Sequence, residues 1–300
     1  MVLNSLIVKE KNHTMQFKSN YIQLDKVKLH YIQEGNGDKV IFLLHGWPEF
    51  WYSWRYQIPA LAEQGFKVIA PDLRGFNLSD KPKGVAAYSL ENVGKDIAQF
   101  IDKLGIEKAH IVGHDWGGAL AWHMGLHYPE KVDKLAILNS PYPAIFLKNL
   151  RSNPSQFFKS WYMLFFQIPF LPEFLLKLNL NFFFKRALRD WAYNKDAFSD
   201  EVIEEFAKAY AHKGAMQSSI NYYRAGLRFS SAKREKGRKI QSPTLMIWGE
   251  NDKALGKELT EGTVNYIENS FDLKFIPQCS HWVQQDAPDL VNKYLVEFFA

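Results

Sequence analysis

Cysteine is almost absent from this sequence: Cys279 is the single one among 300 residues. An intramolecular disulfide framework is therefore excluded, and so is a zinc site built from several cysteines. Because such low cysteine usage is typical of proteins in reducing compartments, we expect a cytoplasmic protein.

Long hydrophobic runs are also missing. The longest charge-free run in the apolar region between Phe157 and Phe184 extends from Ser160 to Pro172, well short of the ~20 residues that a transmembrane helix needs. The apolar run after Met1 is short and has no basic residues ahead of it, so we expect neither a signal peptide nor a membrane span.

A strong excess of one charge is absent as well, since 37 Lys and Arg oppose 32 Asp and Glu for a net charge of +5. Nucleic-acid-binding proteins usually concentrate basic residues on one face or stripe. The densest basic stretch is interpreted as a solvated segment, and no nucleic-acid partner is expected. This stretch contains Lys233, Arg234, Lys236, Arg238 and Lys239.

Aromatic residues, by contrast, are abundant, with 23 Phe, 14 Tyr and 9 Trp. Apolar residues make up 47% of the chain, and a chain of this size can bury a large core. Many aromatic rings suit a protein built around an apolar cavity.

Short apolar runs alternate with segments of helical spacing in the first half of the chain, and the pattern returns near the C-terminus. Strands that lie between helices and read as continuous apolar runs are typical of a parallel sheet covered on both faces. The predicted strands are 40–44, 68–70, 109–112, 132–138, 244–248 and 273–276, and the predicted helices are 89–104, 117–126 and 288–299.

The middle of the chain is different, because residues 142–238 are aromatic and mostly helical in pattern, with Pro154, Pro169 and Pro172 as breaks. We therefore predict an α/β core formed by residues 1–141 and 239–300. A helical cap formed by residues 142–238 is predicted to be inserted between two strands of this core.

The segment Gly113-His114-Asp115-Trp116-Gly117-Gly118 lies between a predicted strand and a predicted helix. Small residues around a central one permit a sharp strand-to-helix turn, the nucleophile elbow of α/β hydrolases. Here the central residue is Asp115, whose carboxylate can attack carbon without a base to deprotonate it. The alternative is that Asp115 only caps the helix.

The segment His45-Gly46-Trp47-Pro48-Glu49 follows the predicted strand 40–44. In α/β hydrolases the corresponding loop brings a backbone N–H beside the nucleophile, where it forms an oxyanion hole with the N–H that follows the nucleophile. The two donors here would be the amides of Trp47 and Trp116. The alternative is an ordinary turn.

An acid and a histidine follow the late strands, in the chain order nucleophile, acid, histidine that this architecture uses. Asp252 comes after strand 244–248, and His281 comes after strand 273–276. His281 would deprotonate water, while Asp252 would orient the imidazole and stabilise its protonated form. Glu250 is a competing acid, and we favour Asp252.

These residues together resemble the soluble and bacterial epoxide hydrolases of the α/β-hydrolase fold. The resemblance extends from about Tyr21 to Phe299. It rests on the acid, the histidine and four motifs: residues 45–55 (HGWPEFWYSWR), 72–75 (DLRG), 79–82 (SDKP) and 113–118 (GHDWGG).

The resemblance implies two cap tyrosines that hold the epoxide oxygen. Tyr162, in Tyr-Met-Leu-Phe-Phe-Gln-Ile-Pro, and Tyr223, in Asn-Tyr-Tyr-Arg, match these positions, with Tyr222 as the alternative to Tyr223. Such donors are needed because the epoxide oxygen leaves as an alkoxide. The expected reaction converts an apolar epoxide and water to a vicinal diol through an ester on Asp115.

Two other functions remain as alternatives. Haloalkane dehalogenases share an Asp nucleophile followed by Trp, so Trp116 could hold a halide, and a non-enzymatic ligand-binding protein could keep the same fold. His123 and His127 have zinc-like spacing but lack the metalloprotease pattern. We expect no metal, no cofactor, and a monomer or homodimer.

Overall fold

The computed structural model describes residues 5–10, 13–229 and 237–300, with side chains from residue 16 onward. Of the densest basic stretch, Lys233, Arg234 and Lys236 lie outside these residues, so its interpretation as a solvated segment stays a prediction. No helix in the described part of the chain combines the length and the apolar character that crossing a bilayer requires.

Nine strands of the described chain form one sheet in the order β1-β2-β3-β5-β4-β6-β7-β8-β9. The pairs from β5 to β9 are parallel, and the pairs that join β1, β2, β3 and β5 are antiparallel. The mostly parallel sheet predicted from the sequence is thus confirmed. The strands are β1 (Ser5–Glu10), β2 (His13–Gln23), β3 (Lys28–Glu34), β4 (Val40–Leu44), β5 (Lys67–Pro71), β6 (Ala109–His114), β7 (Val132–Leu138), β8 (Thr244–Gly249) and β9 (Phe271–Ile276).

The central strands β4, β6 and β8 are buried along their whole length, as expected for apolar runs between two helical layers. The sequence analysis did not predict strands β1 to β3. In β3 the exposed and buried side chains are mixed, as is common for an antiparallel strand, so β3 has no continuous apolar run.

Twelve α-helices belong to the described chain. They are α1 (Gln57–Glu63), α2 (Leu90–Lys103), α3 (Trp116–His127), α4 (Pro143–Ser152), α5 (Pro154–Lys159), α6 (Trp161–Phe165), α7 (Leu171–Lys177), α8 (Leu180–Phe184), α9 (Asp200–Ala211), α10 (Ala215–Arg228), α11 (Val283–Asp286) and α12 (Pro288–Phe299). Helix α1 packs against α12, and α2 against α3, forming two helix pairs that flank the sheet. Ser89 caps α2 through a hydrogen bond from the amide of Asn92, as its sequence position predicts.

Seven of these helices, α4 to α10, come between β7 and β8. Arg224 of α10 holds the connection between α6 and α7, because its Nε donates to the carbonyl of Phe166 at 2.9 Å and it pairs with Glu173 of α7. The division of the chain at residues 142 and 238 into core and cap stays a prediction.

Candidate active site

The carboxyl ends of the parallel strands meet at one edge of the sheet, and predicted site residues follow four of these strand ends. Trp47 follows β4, Asp115 follows β6, Asp252 follows β8 and His281 follows β9. Residues far apart in sequence are brought together here because parallel strands all end at the same edge.

Asp115 lies at the sharp turn between β6 and α3, with φ +50°. Glycines make the turn possible: a Cβ on Gly113 would come 2.2 Å from the carbonyl oxygen of Gly117, and one on Gly117 would come 2.0 Å from that of Leu44. The Asp115 side chain makes no capping hydrogen bond to α3. Asp115 is therefore not the side-chain cap that the alternative interpretation requires.

The two oxygens of Asp115 have different surroundings. Oδ1 accepts a hydrogen bond of 2.7 Å from the backbone N–H of Trp47. A Cβ on Gly46 would come 2.4 Å from the Asp115 Cβ, so glycine is needed for this approach. Trp116 is the first residue of α3, where backbone amides lack a partner within the helix. The structure thus brings the Trp47 amide to the carboxylate, and the part of the Trp116 amide in the oxyanion hole stays a prediction.

His281 connects Asp115 with Asp252. Its Nδ1 is 2.6 Å from Oδ2 of Asp252, and its Nε2 is 3.6 Å from Oδ2 of Asp115. Burial by itself would lower the pKa of His281, but the negative charges of Asp252 and Asp115 outweigh it and raise this pKa to about 10. Asp252 thus orients the imidazole through Nδ1, while Nε2 faces the carboxylate of Asp115.

Asp252 is buried, and all of its hydrogen bonds favour the charged form. Oδ1 accepts from the amides of Ala254 and Leu255, at 2.7 and 2.9 Å. Burial would raise the pKa of Asp252, but His281 and the amide of Asn139 outweigh it and lower this pKa. Glu250, the competing acid, instead pairs with Lys257 at 3.0 Å on a partly exposed surface.

Asn139 was missed by the sequence analysis. It follows β7 with φ +39°, donates from Nδ2 to Oδ2 of Asp252 at 2.8 Å, and accepts from the amide of Gly249 at 2.9 Å. The signal that could have found it is a polar residue directly after a buried strand, at the edge where the other site residues lie.

A buried pair behind His281 was also missed. Nδ1 of His114 is 2.6 Å from Oε2 of Glu49, and its Nε2 donates to the carbonyl of His281 at 2.8 Å. Gln284 and Gln285 donate to the other oxygen of Glu49. Both residues of the pair belong to motifs quoted above, so their type and position were visible, but their long-range pairing was not.

Tyr162 on α6 and Tyr223 on α10 lie in the wall of the same cavity as Asp115, with ring centroids 5.7 Å apart. Burial, followed by the negative charge of Asp115, raises the pKa of both phenols. Both hydroxyls therefore carry their protons beside the carboxylate. Tyr222 differs, because its hydroxyl donates to the carbonyl of Arg74 at 2.9 Å.

The cavity has a volume of about 170 Å³ and lies between the sheet edge and the inserted helices. Its wall is mainly apolar, with Asp115 and the two tyrosines among its polar groups. The apolar lining includes Phe146, Leu147, Leu150, Met163, Leu227, Phe229 and Leu255.

His123 and His127 stack on each other with ring centroids 4.2 Å apart. Burial lowers the pKa of His123 to about 3. Within residues 5–10, 13–229 and 237–300, no group of three or more His, Cys, Asp or Glu side chains is arranged to hold a metal ion.

Comparison with known proteins supports one family. Residues 39–288 match the family model described as the alpha/beta hydrolase fold. Epoxide hydrolase 1 from Caenorhabditis elegans is 42% identical, over 97% of this chain and 72% of the relative. Epoxide hydrolase 4 from Homo sapiens is 38% identical, over 91% of this chain and 75% of the relative.

The fold is similar to that of solved structures as well. A crystal structure of a mutant of an epoxide hydrolase from Bacillus megaterium superposes with a TM-score of 0.85 at 30% identity. The superposition covers 93% of this chain and 99% of that one.

Proposed function

This chain belongs to the α/β-hydrolase fold family and, within it, to the epoxide hydrolases, and we propose that it opens an apolar epoxide through a covalent ester on Asp115. The observation that supports this mechanism most is the position of Asp115. Its carboxylate lies between the Trp47 amide and His281, in a cavity that Tyr162 and Tyr223 also line.

In the first step, the hydroxyls of Tyr162 and Tyr223 donate hydrogen bonds to the oxirane oxygen. Oδ2 of Asp115 attacks one ring carbon, because Oδ1 is already held by the Trp47 amide. The bond between that carbon and the oxirane oxygen breaks, and the oxygen takes a proton from a tyrosine. The products are an alkyl-enzyme ester and a tyrosinate, which regains its proton from the His281 imidazolium formed in the second step.

In the second step, Nε2 of His281 removes a proton from water, and the resulting hydroxide attacks the ester carbonyl carbon. Esterification has by then removed the charge of Asp115, one of the two charges that raise the pKa of His281. The imidazole is thus more readily neutral when a base is needed. Asp252 keeps the ring oriented and stabilises the imidazolium that forms.

The amides of Trp47 and Trp116 stabilise the oxyanion that develops on Oδ1 of Asp115. Backbone donors preorganised at a developing charge act without reorganising during the reaction. The tetrahedral intermediate collapses, and the bond between the acyl carbon of Asp115 and the oxygen that carries the substrate breaks. That oxygen takes the proton of the newly added hydroxyl, and a vicinal diol leaves. The carboxylate of Asp115 is restored.

The helices between β7 and β8 have the role of a cap in this proposal, because they supply both tyrosines and much of the apolar wall. The apolar wall favours an apolar substrate, which partitions into such a cavity. A cytoplasmic location and a monomeric or homodimeric state stay predictions.

The test is to assay the purified protein with styrene oxide and with 1-bromobutane, each with and without EDTA. We expect diol formation from styrene oxide at the same rate with the chelator, since each proton transfer proposed here uses a side chain of this chain. Bromide release without diol formation would instead support a haloalkane dehalogenase. Loss of turnover with EDTA would contradict the proposed mechanism.

A further inference from the structure

The inserted helices expose an unusual share of the large hydrophobic side chains. Eleven of the seventeen exposed ones in the described part of the chain lie between residues 157 and 182, on α5 to α8 and their connections. We call this surface the apolar cap face. Its six most exposed members, at 61–75% exposure, are Phe158, Trp161, Phe170, Phe174, Leu178 and Phe182.

The apolar cap face belongs to packed helices rather than to loose chain. Helix α5 contacts α6, and α7 contacts α8. The inner side of the same segment is buried, as the side chains of Phe166 and Phe184 show. Arg224 of α10 donates hydrogen bonds to the carbonyls of Phe166 and Ile168 and so holds the segment in place. Large apolar surfaces of this kind on a folded protein mark interaction sites.

Charge distinguishes this surface and the neighbouring helix α4, which packs against α5. Residues 143–184, all of which the structure describes, contain four basic side chains and one acidic side chain. The acidic one, Glu173, is buried and paired with Arg224. The basic ones are Lys148, Arg151 and Lys177, which are exposed, and Lys159, which is half-buried. The segment therefore presents aromatic and aliphatic side chains together with cations and no exposed acid.

We propose that the apolar cap face docks on the surface of a membrane that contains anionic lipid. Exposed Phe, Trp and Leu side chains enter the boundary between headgroups and acyl chains, while lysine and arginine bind the lipid phosphates. A second copy of the chain fits less well, because residues 143–184 offer no exposed acidic side chain to pair with the basic side chains of the other copy.

Docking would also bring the cavity close to the membrane. In α6, Tyr162 and Met163 line the cavity, whereas Trp161 and Leu164 are exposed on the apolar cap face. Apolar molecules dissolved in the bilayer would then be near the cavity. This consequence rests on the proposed function, whereas the docking itself does not.

The experiment measures sedimentation of the purified protein with phosphatidylcholine vesicles and with vesicles in which phosphatidylserine replaces part of the phosphatidylcholine. We expect binding to the anionic vesicles at least about tenfold tighter, with the difference shrinking as salt shortens the range of the charges. Equal binding to both vesicles, or no binding, would overturn the proposal.

Substitutions locate the contact. The triple variant Phe170→Ser/Phe174→Ser/Leu178→Ser should lose about tenfold or more in vesicle affinity, and Val264→Ser/Phe275→Ser, exposed outside the face, should lose none. Lys148→Glu/Lys177→Glu should remove the preference for anionic vesicles, and Lys108→Glu/Lys213→Glu should keep it. Unchanged binding in the triple variant would overturn the proposal. Circular dichroism checks the folding of each variant.

Two further readouts complement the sedimentation with vesicles. Anionic vesicles should shift the tryptophan emission of the protein to shorter wavelength, and Trp161→Phe should remove most of that shift. Sedimentation equilibrium tests the alternative that a second copy of the chain covers the apolar cap face. If the protein is a homodimer that the triple variant turns into a monomer, and vesicles bind neither, the face is a contact between copies and the membrane proposal is wrong.

Discussion

At the scale of single residues, the chemistry depends on the unequal surroundings of the two Asp115 oxygens. One is fixed by the Trp47 amide at 2.7 Å, and the other faces Nε2 of His281 at 3.6 Å. The second distance is longer than a normal hydrogen bond, so this oxygen is the less constrained of the two and the better placed to attack. The motif predicted which residue is the nucleophile but not which of its oxygens is less constrained, because that depends on contacts with the loops after β4 and β9.

Replacing the cap tyrosines should slow the first chemical step. Tyr162→Phe and Tyr223→Phe each remove one donor to the developing alkoxide, and the double variant should lose roughly 10²–10⁴-fold in the rate of ester formation. Rapid-quench kinetics measure this rate. Tyr222→Phe is the matched control and should change it little, because that hydroxyl binds the carbonyl of Arg74. A double variant within a few-fold of wild type would refute the assignment.

The pKa of His281 should depend on the charge of Asp115. Asp115→Asn replaces a carboxylate with a neutral group, as ester formation does, so the pKa of His281 should fall from about 10 toward the ordinary value for histidine. A histidine whose pKa is lower is neutral, and able to act as a base, over a wider range of pH. NMR titration of the His281 ring in wild type and in Asp115→Asn measures this pKa.

The matched control for this titration is Glu250→Gln. Glu250 pairs with Lys257 rather than with His281, so its replacement should leave the pKa of His281 unchanged. An equal pKa in wild type and Asp115→Asn would show that the charge of Asp115 does not act on the imidazole.

At the scale of secondary structure elements, the sequence predicted the parallel strands and the helix from Pro288 to Phe299, because continuous apolar runs and helical spacing are local signals. It missed β1 to β3; in β3, exposed and buried positions are mixed and form no continuous apolar run. It also missed Asn139, since a lone polar residue after a strand has no local signature. Its partners, Asp252 and Gly249, lie more than 100 residues away.

Asn139→Ala should slow ester hydrolysis by roughly 10- to 100-fold, because a hydrogen bond to a buried charge is lost. Ester formation should change little, as Asp115 and the tyrosines are untouched. Single-turnover kinetics separate the two steps. Asn139→Gly distinguishes the cause: it also lacks the hydrogen bond but tolerates the positive φ. If the glycine variant recovers wild-type hydrolysis, backbone strain rather than the bond to Asp252 is responsible.

At the scale of the whole molecule, the site forms between the sheet edge and the helices inserted between β7 and β8. Sequence reasoning predicted an aromatic helical insertion and both tyrosines, the latter through family resemblance. The cavity and the apolar cap face could not be predicted in this way, since which rings are buried depends on packing among α4 to α10. Tyr162 and Trp161 are neighbours in sequence, yet one lines the cavity and the other is exposed.

The most direct test of the covalent mechanism is the intact mass of the His281→Gln variant after incubation with styrene oxide. Ester formation needs Asp115 and the tyrosines, whereas ester hydrolysis needs His281, so the variant should accumulate one added substrate mass on the peptide that carries Asp115. Asp115→Ala should show no adduct. A His281→Gln protein that turns over substrate without any adduct would contradict the ester on Asp115.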